Sequence, residues 1–250
     1  PPPSLPACLP PAQLSAAGAA MGLSVVGIWA GFRMYICILS ALFQGLWRRY
    51  YHGDAWAGRP AIYNWCMYQN FPGRYLTPVR LHFEGEKPDL DSAIWVSMHF
   101  TILDWVFCVC GNDQISFCAG MKPFAFGLSL GHLLYFPLVA AHYFDGRNIL
   151  LPASQGYKGF ERWIAKTKHP WVYPAGLGTR FRSGTFRAAM ATGKPVVPVQ
   201  LKGVKENMNR FCMARSSSFD VTMVWGKPLY GKDFEDVEAF RKAAEEACCY

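Results

Sequence analysis

Val96-Ser97-Met98-His99-Phe100-Thr101-Ile102-Leu103-Asp104-Trp105 is the stretch from which the rest of this chain is read. A histidine and an aspartate stand five apart inside an otherwise apolar run. Burying either without a partner is costly, so the two are expected to face each other or a substrate. The run 93–97 reads as a buried strand. The run 104–110 reads as the start of a helix, with Asp104 near its N-cap. His99 then falls on a strand-to-helix turn, where a side chain can point into a pocket. An aspartate bonded to one imidazole nitrogen fixes the tautomer and leaves the other nitrogen as a base. The same spacing also suits a core histidine beside a helix cap, so the pair needs support from elsewhere in the chain.

That support lies downstream, in Trp171-Val172-Tyr173-Pro174-Ala175-Gly176-Leu177-Gly178-Thr179-Arg180 and in Lys194-Pro195-Val196-Val197-Pro198-Val199. In this order the blocks resemble the glycerolipid acyltransferase family, which includes the lysophosphatidic acid acyltransferases. That family carries an H-x4-D block, a middle block with a lysine and an arginine, an F-P-E-G-T-R block and a V-P-V-type strand. The resemblance runs over residues 79–228. It implies an α/β fold, a mixed sheet flanked by helices, with an N-terminal membrane-associated helical segment.

The resemblance also assigns roles. His99 would be the general base and Asp104 its orienting partner. Lys122 matches the family's lysine, although Phe124 stands where a glutamate is expected. Tyr143-Phe144-Asp145-Gly146-Arg147 resembles the end of the middle block, so Arg147 would bind the acceptor's phosphate. Gly176, Gly178, Thr179 and Arg180 would present backbone N–H groups and a guanidinium to the same phosphate. Two departures stand out. Tyr-Pro-Ala-Gly replaces Phe-Pro-Glu-Gly, with Leu177-Gly178 inserted, so Ala175 or Leu177 occupies the glutamate's place. Met98 stands where the family has asparagine. The implied chemistry is acyl transfer from acyl-CoA, a co-substrate, to a lysophospholipid hydroxyl. It needs no cofactor, no metal and no covalent enzyme intermediate. Backbone N–H groups near the helix start after His99 would hold the oxyanion, and the 123–141 region would hold the acyl chain.

Composition agrees with a bilayer setting. The chain has 250 residues, 52% of them hydrophobic and 16% aromatic, with net charge +8. Mean hydropathy is positive and the pI is near 9.1. The basic residues are scattered among apolar ones, which favours bilayer and phosphate over nucleic acid. Nine cysteines show no paired metal-site spacing and sit mostly in apolar runs, so they read as reduced, packed thiols.

The chain divides into a Pro-rich tail (1–15), a membrane-anchoring segment (16–52) and an acyltransferase-like domain (53–250). It opens on Pro1-Pro2-Pro3, which reads as a fragment or a processed presequence. No acidic residue precedes Asp54 and no lysine precedes Lys87, a look shared with organelle import sequences. The mitochondrial inner membrane is the expected location, with the endoplasmic reticulum as the alternative. Within 16–47 three arrangements fit: one span with Arg33 snorkelling, two helices lying in one leaflet, or a buried helix hairpin inside a complex. The first two would bring the chain against membrane lipids.

The remaining elements follow from periodicity and turn residues. Helices are expected at 56–70, 154–169, 185–192 and 233–249, and strands at 75–84, 114–121, 170–173 and 195–201. An edge-like strand is expected at 219–225. Gly127-Leu128-Ser129-Leu130-Gly131 also fits a hydrolase elbow, with Ser129, Asp145 and His169 in triad order, but Pro123 and the small residues around it argue for a helix there. A second function class remains: an acyltransferase-like subunit that binds lipid or joins other subunits of a mitochondrial membrane complex. The missing glutamate, Met98 and the processed-looking start favour it. The intact His99 and Asp104 favour an enzyme.

Overall fold

The computed structural model describes residues 25–52, 77–101, 104–112, 114–121, 149–152, 155–176, 180–208 and 214–249. Seven strands form one sheet: β1 (Val79–Glu84), β2 (Ile94–Ser97), β3 (Ser116–Met121), β4 (Ile149–Pro152), β5 (Pro170–Val172), β6 (Val196–Lys202) and β7 (Phe219–Trp225). Their order is β1-β7-β6-β2-β5-β3-β4. Five strands, from β6 to β4, run parallel. At the other side β7 pairs antiparallel with β6 and parallel with β1, which makes the sheet mixed.

Alternation along the strands separates two apolar faces. Trp95, Trp171, Val197, Val199, Val221, Met223 and Trp225 belong to one cluster. Against it pack helix α1 (Val25–His52) through Ala30, Met34 and Cys37, and helix α2 (Asp104–Gly111) through Trp105 to Cys110. Ile94, Val96 and Val196 belong to the other cluster. There they meet α3 (Gly156–Lys166), α4 (Gly184–Thr192) and, beyond the short α5 (Val204–Asn207), the C-terminal helix α6 (Val237–Cys248). The result is three layers, helix–sheet–helix. Strand β2 is buried at all four positions, as a central parallel strand must be.

Two expectations change. The strand at 219–225 is interior, because β1 pairs along its outer side. Among the described residues no helix lies over its polar side, where Asp220 is exposed and Thr222 half-buried. Arg80 forks onto Asp220 at 2.8 and 2.7 Å, and His82 meets the same carboxyl at 2.8 Å. Arg80 first, then His82, holds the Asp220 carboxyl well below the usual carboxylate range. Alternation marks a face that is not packed, which a strand can have without being an edge.

The second change concerns α1. It is one continuous helix of 28 residues, about 42 Å at 1.5 Å per residue. Among the described residues no helix is both long and apolar enough to cross a membrane. Arg33 does not snorkel. Its guanidinium donates to the carbonyls of Ser217 at 3.0 Å and Thr77 at 3.2 Å, tying the helix to the sheet. The expected tail at 1–15, the helix at 56–70 and the whole of 122–148 lie outside the described residues.

One turn has a strict residue requirement. Gly203, after β6, has φ +88°, and a Cβ there would lie 2.2 Å from the Asp220 carbonyl oxygen. The oxygen is backbone and a Cβ is fixed by its own backbone, so neither can step aside. Gly203→Ala is expected to destabilise the fold by about 2 kcal/mol or more, from the left-handed φ and the clash together. Urea unfolding measures this, and an unchanged midpoint would refute the strained turn.

Candidate active site

The sheet topology itself marks a place. From β2 the chain leaves through α2 towards β3, on one side. From β5, the strand beside β2, it leaves through α4 towards β6, on the other side. Adjacent parallel strands whose connections diverge leave a crevice at their carboxyl ends, where α/β proteins bind ligands. His99 follows β2 and Tyr173 follows β5, so both stand at that crevice.

Period-2 alternation decides which way they face. Trp95 pairs with Trp171 in the β2–β5 register, and their rings stack at 6.1 Å. Ser97, two residues on, accepts a hydrogen bond from Trp171 Nε1 at 3.0 Å. Two residues further, His99 stacks on Tyr173 with centroids 4.3 Å apart and planes at 20°. Phe117 of β3 backs Tyr173 at 6.2 Å. The imidazole therefore rests on an aromatic floor built by three adjacent strands.

Its in-plane orientation comes from Asp104. His99 Nδ1 donates to Asp104 Oδ2 at 3.0 Å, leaving Nε2 as the nitrogen that Asp104 does not engage. The Asp104 side chain is fully buried, while the His99 side chain is 21% exposed. Burial of that carboxylate is offset by three further donors. The Phe100 and Thr101 amides reach Oδ2 at 2.5 and 3.0 Å, and Thr101 Oγ1 reaches Oδ1 at 2.9 Å. Asp104 is the first residue of α2, and it fastens the turn before the helix. The expected pairing of His99 with Asp104 is what the structure contains.

This arrangement narrows one expectation. The Phe100 and Thr101 amides already serve Asp104, and the Asp104 amide bonds to the Thr101 carbonyl at 3.3 Å. These three groups at the start of α2 are not available to an oxyanion.

The second motif is only partly visible. Gly176 adopts φ +57° and closes a turn onto the Tyr173 carbonyl at 2.9 Å. Leu177, Gly178 and Thr179 lie outside the described residues, as do Lys122 and Arg147. Arg182 N donates to the Pro174 carbonyl at 3.2 Å, so the two ends of the loop are tied together. Arg180 is exposed and meets Glu238 of α6 at 3.4 Å. Ala175 is buried, in the apolar cluster that includes Phe181, Phe240 and Ala244.

Two residues of the site were not read from the sequence. Tyr173 is one: the motif comparison noted it as a replacement for phenylalanine, yet stacking on His99 needed the β2–β5 register. Cys108 is the other, with Sγ 3.4 Å from the Tyr173 hydroxyl. Burial pushes the Cys108 thiol well up, and Cys110 to about 12. Neither is a thiolate near neutral pH, so neither offers a nucleophile. No group of His, Cys, Asp or Glu among the described residues is arranged to hold a metal ion.

The other histidine of interest is elsewhere. His169 is buried just before β5, and its Nδ1 accepts from Trp95 Nε1 at 3.5 Å. It borders a cleft of about 520 Å³ with Asp89, Asp91, Ser116 and Lys168. These residues lie at the amino ends of β2, β3 and β5, the opposite end of the sheet from His99. The cleft is therefore not the His99 site, and the hydrolase triad gains nothing from His169. Ser129 and Asp145 lie outside the described residues.

A histidine–aspartate pair at the switch point of a mixed three-layer sheet defines the class of site. No protein-family model and no curated protein matches the sequence. Among solved structures the chain is similar to the 1-acyl-sn-glycerophosphate (LPA) acyltransferase PlsC from Thermotoga maritima. The TM-score is 0.61 with 16% sequence identity, covering 90% of this chain and 92% of that one. The chain shares that protein's fold.

Proposed function

We propose that this chain is a membrane-bound O-acyltransferase. It moves an acyl group from acyl-CoA to a lysophospholipid such as 1-acylglycerol 3-phosphate. The observation that carries this reading is the His99–Asp104 pair at the β2–β5 crevice of a fold shared with an LPA acyltransferase.

In this mechanism His99 Nε2 takes the proton of the acceptor hydroxyl as its oxygen attacks the thioester carbon. Asp104 holds the ring and stabilises the imidazolium that forms. The C–S bond breaks, and the departing thiolate takes the proton back. The Tyr173 face supports the same cation. Arg180, with Arg147 and Lys122, holds the acceptor's phosphate, and the turn at Gly176 and the Gly178-Thr179 backbone complete that site. Arg180–Glu238 is an exposed pair that solvent keeps weak, so a phosphate's bidentate bonds displace Glu238 readily. The test is transfer of a labelled acyl group from its CoA thioester to 1-acylglycerol 3-phosphate, compared between wild type and His99→Ala.

Membrane lipids are the proposed partner of α1. Its buried side is Ala30, Met34 and Cys37. The opposite side carries Val25, Ile28, Trp29, Phe32, Phe43, Trp47 and Tyr50, all exposed, at spacings that keep them on one face. A helix with one face on the protein core and another of exposed aromatics suits the interface plane of a bilayer. On the sequence argument that bilayer is the mitochondrial inner membrane, with the endoplasmic reticulum as the alternative. Replacing Trp29 and Phe43 together by glutamate is expected to reduce flotation with anionic vesicles about tenfold or more. Undiminished flotation would remove α1 as the anchor.

The second reading, a lipid-binding subunit without turnover, is favoured by one observation: Ala175 is buried where the resembled motif has its glutamate. Wild-type turnover no faster than His99→Ala would select it. Co-migration with a larger assembly in mild detergent would then be expected.

A further inference from the structure

The loss of the motif glutamate raises a question that the C-terminal helix answers. Phe181, the residue after Arg180, donates its amide to Glu245 Oε1 of α6 at 3.0 Å. Its carbonyl accepts from Arg241 NH1 at 3.4 Å. Arg241 and Glu245 pair with each other, and the Arg241 side chain is only 6% exposed. Arg241 also forks onto Glu238 at 2.9 and 2.5 Å, and Glu238 is the residue that meets Arg180. One stripe of α6, spaced three and four residues apart, thus grips the backbone beside Arg180 from both its donor and its acceptor side.

The stripe is itself anchored to the sheet. Gln200 of β6 donates to the carbonyls of Ala247 and Cys249 at 2.9 and 3.1 Å. Cys248 Sγ meets the carbonyl of Val96 at 3.5 Å, three residues before His99. The helix that grips the loop therefore also touches the strand that carries the histidine.

We propose that Glu245 and Arg241 are positioning residues that hold the neck of the motif loop, and through it Arg180, in place for the acceptor's phosphate. They supply from α6 the carboxylate contact that Ala175 cannot make. This rests on the acyltransferase reading. Neither residue touches substrate. They act by fixing the backbone from which Arg180 projects, which lowers the ordering cost when a phosphate monoester binds.

The test uses the full chain in detergent micelles with three variants: Glu245→Ala, Glu245→Gln and, as a control on the same helix, Lys242→Ala. Steady-state kinetics are measured against 1-acylglycerol 3-phosphate and against acyl-CoA, with thermal melting alongside. Glu245→Ala is expected to raise KM for the acceptor about tenfold, the worth of a lost hydrogen bond to a charged group. KM for acyl-CoA and kcat stay within about twofold. Glu245→Gln keeps an oxygen for the Phe181 amide and recovers most of the loss, and Lys242→Ala matches wild type. An unchanged acceptor KM in Glu245→Ala would overturn the proposal. So would parallel losses for both substrates with a lowered melting temperature, since these mark a packing role only. If wild type turns over no faster than His99→Ala, the acyl-transfer reading fails by itself. The positioning claim is then read from equilibrium binding of 1-acylglycerol 3-phosphate. A roughly tenfold weaker binding by Glu245→Ala supports it, and equal binding overturns it.

Discussion

His99→Ala is expected to lower acyl transfer about a thousandfold while leaving the fold intact. The size follows from the role. A positioned general base contributes about 10²–10⁴ in rate, and here the base is set by two independent constraints, the Asp104 bond and the Tyr173 stack. Both exist before substrate arrives, so their loss falls on the chemical step. The fold is spared because Asp104 keeps three of its four donors without the imidazole. The ring is also partly exposed, so its removal opens space to solvent and leaves no closed cavity. The expected signature is a collapse of kcat with little change in either KM, and a melting temperature near wild type. A variant retaining a tenth or more of wild-type turnover would show that the acceptor loses its proton elsewhere, and the general-base assignment would fall.

The His99–Asp104 pair was legible in the sequence for a reason that needs no register. A carboxylate in an apolar run must find donors nearby, and the nearest are local: His99, Phe100 and Thr101 all lie within five residues of Asp104. The strands were legible for a similar reason, since β2 and β6 are near-continuous apolar runs, as strands covered on both faces are. What failed were inferences that depend on partners far along the chain. Arg33 looked like a snorkelling residue because its partners, Thr77 and Ser217, are 44 and 184 positions away. The strand at 219–225 looked like an edge because alternation reports a polar face without saying whether a strand or only solvent lies beside it. The amides at the start of α2 looked open to an oxyanion. Asp104 takes two of them, those of Phe100 and Thr101.

The same limit explains why the sequence does not show the Tyr173 stack or the grip of α6. Tyr173 lies 74 residues beyond His99, and nothing local announces their stacking. What could have announced it is the shared alternation: Trp95, Ser97 and His99 on one strand, Trp171 and Tyr173 on the next. The grip of α6 on Phe181 spans 60 and 64 residues. Its sequence trace is a Glu-x2-Arg-x3-Glu spacing, which by itself marks only an amphipathic helix with internal ion pairs. Motif comparison sets Ala175, or Leu177, against a glutamate and yields only an absence. A carboxylate from another element can satisfy the same loop, and only the packing of α6 reveals one.

Asp104 allows charge to be separated from geometry. Asp104→Ala removes the acceptor of two backbone amides and one hydroxyl in a fully buried place, so it is expected to cost about 3 kcal/mol or more in stability. Lost activity there would say little, because the turn carrying His99 would itself be loosened. Asp104→Asn is different. Its carboxamide oxygen can take the Oδ2 position and keep the bonds from His99 Nδ1, Phe100 and Thr101. Its NH2 then falls at Oδ1, where Thr101 Oγ1 turns from donor to acceptor. The four bonds to residue 104 can all be remade, and His99 keeps its tautomer. Only the negative charge is gone, and with it the stabilisation of the imidazolium formed as the acceptor attacks. Turnover is expected to fall about a hundredfold or more, with a melting temperature much closer to wild type than that of Asp104→Ala. The fall should appear in kcat, because the charge matters once the proton has begun to move and not while substrates bind. An Asp104→Asn protein as fast as wild type would reduce Asp104 to a structural fastener of the turn, with His99 unaided. A fall confined to stability, with kcat preserved, would place the whole value of the carboxylate in the loop it ties.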